Sequence, residues 1–172
     1  MHTLCNNKHS KGYIISRKCR SNTIGCIGGL KRVRREKRIC MADKLEIRPL
    51  HQSEVAAVAA LAREIWRTHY PGIISTAQIE YMLDERYSED AIRKELERGD
   101  AWWDVLLRDG EMIGYTSYFW YGDSVERDTI KIDKLYLRER RQGHGARLIG
   151  HVAGRMAAQG CRRLLLAVNR QN

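Results

Sequence analysis

The sequence predicts an α+β domain, an α/β/α sandwich built on a mixed, mostly antiparallel sheet. Three observations predict it. Residues 102–107 and 112–120 are strand-like runs flanking Arg108-Asp109-Gly110-Glu111, a hairpin with an Asp-Gly turn. Residues 130–137 form a β-rich run of near-alternating polarity, followed by two glycines and an amphipathic helix. Residues 164–168 are a short continuous apolar run, as a buried strand reads.

Each element follows from local chemistry. Residues 41–50 read as a first strand with a short lead-in, and Met41 as an alternative start. Ser53 is the expected cap of a helix carrying Val55, Val58, Leu61, Ile65 and Trp66 on one face, ended by Pro71-Gly72. Ser75 and Gln78 stand at capping-box spacing ahead of Ile79, Met82 and Leu83. Ser88, with Glu89 and Asp90 behind it, opens another helix that stops at Gly99. The helix after the glycines carries Leu148, Ile149, Val152, Ala153, Met156 and Ala157 on one side and ends at Gly160.

Composition agrees with one soluble domain: 43% apolar and 30% charged residues are ordinary values. No run approaches the roughly 18 apolar residues of a membrane span. The net charge of +10 resides in residues 1–40, which hold eleven Lys or Arg and one acid, Glu36. Those forty residues carry Cys5, Cys19, Cys26 and Cys40 without a CxxC pair, and show no helical or strand period. They read as a basic, disordered extension outside a domain spanning 41–172. An organelle transit peptide and a basic arm for nucleic acid are the alternatives there. The five cysteines lack a disulfide pattern, which points to a reducing cytoplasm. No metal site is expected.

The stretch Arg140-Arg141-Gln142-Gly143-His144-Gly145 carries the chemistry. Glycines at a helix start leave N–H groups open to a phosphate, and the helix dipole adds to the attraction. A Walker loop needs Lys-Ser or Lys-Thr after its last glycine, but Ala146-Arg147 follow. A dinucleotide fingerprint needs a third small residue where Leu148 stands. Arg140-x-x-Gly143-x-Gly145 resembles the Arg/Gln-x-x-Gly-x-Gly/Ala loop of the GNAT superfamily of acetyltransferases. The element order from about residue 45 onward and the closing Val168-Asn169-Arg170-Gln171-Asn172 resemble that superfamily too.

The resemblance implies an N-acetyltransferase that moves an acetyl group from acetyl-CoA to a primary amine of a small molecule or protein. The implied cofactor-binding residues are Leu135, Tyr136 and Leu137 on the strand, then Arg140, Arg141, Gln142, Gly143, His144, Gly145 and Ala146 in the loop, and Asn172. A helix and two strands after the fifth strand of the fold, with the tyrosine that protonates the thiolate in relatives, are expected to be missing. The edge of that fifth strand is then left unpaired. Lys131 occupies the place of a glutamate base used by some relatives, so Asp133 is the candidate base, provided a bulge turns it to the right face. His69, Tyr70, Tyr81 and Tyr87 are candidate acceptor-site residues, while Asp84, Glu85, Glu89 and Asp90 read as a solvated helix face. The runner-up functions are a relative that binds CoA poorly and catalyses nothing, or nucleic-acid binding through the arm. A homodimer through the exposed strand is a further possibility.

Overall fold

The computed structural model describes residues 11–14, 43–122 and 128–168. Six strands form one sheet: β1 (Lys11–Ile14), β2 (Leu45–Pro49), β3 (Ala101–Arg108), β4 (Glu111–Trp120), β5 (Thr129–Leu137) and β6 (Arg163–Val168). Their spatial order is β1-β6-β5-β4-β3-β2, and only β5 and β6 are parallel. Helices α1 (Val55–His69), α2 (Thr76–Tyr87) and α3 (Glu89–Leu96) cover one face. Helix α4 (His144–Ala157) covers the other. The α+β sandwich expected from the sequence is the fold observed.

Three buried clusters result, one on the α1–α3 face and two beneath α4. Val55, Val58, Leu61, Ile65 and Trp66 of α1 pack with Trp103, Val105 and Tyr115 of the sheet. On the opposite face Tyr118, Ile130 and Ile132 meet Val152 and Met156 of α4. The Asp-Gly hairpin forms as predicted, with Asp109 at φ 50° and Gly110 at φ 88°; both central residues of such a turn need positive φ. Gly160 at φ 89° ends α4 through the turn bond from Cys161 N–H to Met156 O at 3.0 Å.

Ser75 and Ser88 cap α2 and α3, accepting from Gln78 N–H at 3.2 Å and Ala91 N–H at 3.3 Å. Ser53 does not cap α1. A short 3₁₀ turn (Gln52–Glu54) precedes that helix, and Glu54 accepts from His51 N–H at 3.2 Å instead. Arg48 holds the same carboxylate with two hydrogen bonds of 2.7 Å. The Arg48 hydrogen bonds pull the Glu54 carboxyl down to about 2 against the pull of desolvation. A lowered folded-state pKa contributes stability above the unfolded value that is lost as pH falls. Acid titration of unfolding is therefore expected to show stability falling between pH 4.5 and about 2. The loss in that window should be smaller in Glu54→Gln.

Three departures from regular pairing shape the site. Ser117 pairs with Lys134 but Tyr118 pairs with Ile132, so Asp133 is the extra residue of a β-bulge. Between β3 and β4 a second bulge leaves Ile113 extra, since Leu106 pairs with Gly114 and Leu107 with Met112. The parallel β5–β6 ladder runs from Thr129↔Arg163 to Ile132↔Leu166 and stops, while β5 stays paired with β4 as far as Leu137. The two strands part there.

The edge of β6 is not bare, contrary to the sequence expectation. β1 runs antiparallel along it, from Lys11↔Val168 to Ile14↔Leu165. Unpaired strand N–H and C=O groups invite pairing with any extended segment, and four residues of the basic extension supply it. A segment that short shows no readable period, so the sequence carries no sign that these four residues join the sheet. The rest of residues 1–40, including the basic run 31–38, lies outside the described residues, as does Asn172.

Gly114 of β4 pairs with Leu137 at the end of β5. A Cβ there would lie 2.5 Å from Leu137 Cδ2 and 2.9 Å from Tyr136 O. A side chain can turn aside, but a strand carbonyl cannot move without its ladder. Gly114→Ala is expected to cost about 1–3 kcal/mol in urea unfolding, the range of an overpacked core. A loss near zero would mean that the strands separate more easily than their pairing implies.

Candidate active site

The loop between β5 and α4 is clamped at both ends. Arg108, at the end of β3, donates to Glu139 at 2.9 and 2.8 Å and to His144 Nε2 at 3.0 Å. Arginine only donates, so His144 Nε2 accepts and its ring proton sits on Nδ1. The His144 side chain is turned inward and buried, leaving only its backbone at the loop surface. Arg138 is likewise committed, to Glu64 at 2.8 Å and to Glu111.

Between these clamps the loop carries two left-handed residues, Arg141 at φ 62° and the helix cap Gly143 at φ 75°. The first backbone bond into α4 runs from Arg147 N–H to Gly143 O at 3.2 Å. The N–H groups of His144, Gly145 and Ala146 therefore start the helix without intrahelical acceptors. A Cβ added at Gly143 would meet nothing within 4 Å, so the space over this end is open. Arg140, Arg141 and Gln142 beside it are exposed. Such an end is built to receive an anion.

The parted strands lead to that end. Arg138 N–H donates to Ile113 O at 2.8 Å, and Lys134 O accepts from Thr116 Oγ1 at 2.9 Å. Even-numbered residues of β5 thus turn their backbone toward β4. Alternation turns the backbone of Leu135 and Leu137 the other way, into the gap beside β6. Among the described residues no strand pairs with them there. Tyr136 alternates with them: its side chain enters the α1 face, 5.8 Å from Trp66 and with its hydroxyl 3.3 Å from that of Tyr70. Burial drives the Tyr136 phenol well above its ordinary pKa.

A cavity of about 200 Å³ opens on the helix face at the bulge. Arg86 and Glu95 from α2 and α3 wall it, with Arg98 beyond; Ser117, Phe119 and Asp133 come from the strands. The bulge places Asp133 and Lys134 on this one face, which the sequence made a condition for Asp133. Arg86 donates to Asp133 at 2.6 Å, and Lys134 donates to the same carboxylate at 3.0 Å. Burial pushes the Asp133 carboxyl up, but Lys134 and Arg86 outweigh it and hold it below the usual carboxylate range. At neutral pH Asp133 is an anion and a weak proton acceptor.

The other acceptor candidates divide. Tyr70 stacks on Trp66 at 4.4 Å and reaches Tyr136. His69 ends α1, with its Nε2 buried and without a hydrogen-bond partner. Tyr81 lies 62% exposed on α2, away from the cavity lining. Asp84, Glu85, Glu89 and Asp90 are exposed, as a solvated face would be. Arg86, Glu95, Arg98 and Ser117 gave no signal in the sequence, because charges on a helix rim and a serine in a strand are common.

Residues 58–172 match the model of the acetyltransferase (GNAT) family. The chain belongs to that family. Among curated relatives, the spermidine N(1)-acetyltransferase of Thermoplasma acidophilum is 28% identical over 134 residues. That match covers 74% of this chain and 80% of the relative. The PaiA N-acetyltransferase of Thermoplasma acidophilum, solved in complex with coenzyme A, superposes with a TM-score of 0.67 at 26% identity. It covers 75% of this chain and 82% of that one. A GCN5-related N-acetyltransferase from Ralstonia eutropha JMP134 shares the fold, at a TM-score of 0.58 and 18% identity over 74% of this chain and 86% of its own. In this GNAT chain no helix among the described residues is long and apolar enough to cross a membrane.

Proposed function

We propose that this chain is an acetyl-CoA-dependent N-acetyltransferase acting on a primary amine of a small molecule or a protein. The observation that carries the reading is the parting of β5 from β6 directly ahead of a glycine-capped helix start. An extended pantetheine arm fits such a gap by pairing with the Leu135 and Leu137 backbone, and a diphosphate fits the amides that follow. Arg140 and Arg141 supply cations beside it, while the backbone from Gln142 to Ala146 supplies donors. The coenzyme A complex of the Thermoplasma acidophilum relative supports the same ligand here.

The acceptor then enters from the cavity at Asp133. Its nitrogen attacks the thioester carbonyl carbon, an N–C bond forms, and the C–S bond breaks to release the thiolate. A strand N–H of residues 135–137 is the donor suited to the oxyanion. The amine loses one proton and the thiolate takes one up. Asp133 accepts a hydrogen bond from the amine and orients it, and water carries the proton away. An alkyl amine of pKa about 10.4 is nearly all protonated at neutral pH. The rate constant kcat/KM is therefore expected to rise about tenfold per pH unit from pH 6 to 9. A profile that levels near pH 7 would instead identify a protein base tuned to that pH.

Calorimetric titration of acetyl-CoA into the full-length chain tests the reading. Micromolar binding, followed by thiol release with an amine, is the expected result. Folded protein that binds no acetyl-CoA would overturn it.

A further inference from the structure

The carboxylates of the cavity are already matched by the protein's own cations. Glu95 accepts from Lys134 at 2.7 and 2.9 Å and from Trp103 Nε1 at 3.1 Å. Asp133 accepts from Lys134 and Arg86, as described above. The Lys134 ammonium also lies 4.9 Å from the Trp103 ring and 5.8 Å from that of Tyr87. Carboxylates and aromatic faces are what an ammonium ligand seeks, and here Lys134 fills that niche.

The mouth of the cavity has the opposite character. The side chains of Arg86 and Arg98 are 43% and 51% exposed there. Lys131 lies with its ammonium 5.6 Å from the ring of Phe119, itself a lining residue. Arg98 uses Nε and Nη2 on Asp100, so Nη1 remains to donate. Deeper in, Ser117 is 3% exposed and its hydroxyl is buried without a hydrogen-bond partner. A buried polar group in that state favours a ligand atom that pairs with it.

We infer that the acceptor is an amine carrying its own carboxylate, held at Arg98 and Lys131 with a polar contact to Ser117, and not a polyamine. The word acceptor rests on the transferase reading; the charge preference of the cavity stands apart from it. An amino carboxylate brings its amine toward Asp133 and a negative end toward the cationic mouth. A polyamine brings positive charge to both.

Binding to the full-length protein by ligand-observed NMR separates the two. Free lysine and cadaverine differ only by the carboxylate, and spermidine adds a longer polyamine. Lysine is expected to bind at least about tenfold more tightly than cadaverine, the scale of one charge-assisted hydrogen bond. Arg98→Gln, which alters an exposed pair, should remove that preference. Ser117→Ala should weaken lysine several-fold without restoring cadaverine. Equal or tighter binding of cadaverine or spermidine would overturn the inference. So would an unchanged preference in Arg98→Gln, or no binding by any of the three probes. A parallel titration with acetyl-CoA keeps the questions apart: lysine bound and acetyl-CoA refused would sink the transferase reading alone.

Discussion

Lys134→Ala is expected to lower the unfolding free energy by about 3–5 kcal/mol, the loss seen when one partner of a buried ion pair is removed. Lys134 is 1% exposed, and its ammonium is the shared partner of Glu95 and Asp133. Taking it away leaves Glu95 with only the Trp103 N–H and Asp133 with only Arg86 among the partners described. Lys134 is buried, so removing its side chain also leaves a void that adds to the unpaired charge. Urea unfolding gives the number. Lys134→Met combined with Glu95→Gln should recover more than half of the loss, because the second change removes the stranded carboxylate. A loss below about 1 kcal/mol for the single variant would mean that water reaches the ammonium in solution. That result would also weaken the case that the ammonium niche of the cavity is full.

Gly143→Trp is expected to weaken acetyl-CoA binding at least about a hundredfold, or roughly 2.7 kcal/mol. The residue caps α4 at φ 75°, and its Cβ direction is open. A Cβ there meets no other atom within 4 Å, so the chain is expected to fold, with about 1–2 kcal/mol of backbone strain. The indole instead stands over the amides that open the helix and fills the space a diphosphate needs. Gly143→Ala shares the strain without the bulk and should lose only a few-fold. Calorimetry on the two variants separates them: normal binding by the tryptophan variant would place the diphosphate elsewhere. Equal losses in both would make loop strain the cause.

Local chemistry carried much of this protein into view. The Asp109-Gly110 turn forms because few dipeptides accept positive φ twice, and Ser75 and Ser88 cap because a hydroxyl before a helix has an N–H to meet. Ser53 failed because Arg48, six residues before Glu54 at the end of β2, and the His51 amide hold the Glu54 carboxylate and reset the helix start. The bulge at Asp133 depends on how β4 and β5 register, which no spacing within either strand reveals. The same holds for β1, whose four residues become a strand only because β6 offers an edge.

By itself the sequence determined the fold class, the hairpin, the glycine loop and the helix that follows it. Those depend on φ preferences, periodicity and capping, all set within a few residues. Tertiary structure decided the rest. Only strand register could part β5 from β6 beyond Ile132, and only the packing of α2 and α3 on the sheet could bring Arg86, Glu95 and Arg98 around Ser117 and Asp133. Charges 47 residues apart, such as Arg86 and Asp133, pair through space, and distance along the chain carries no trace of it.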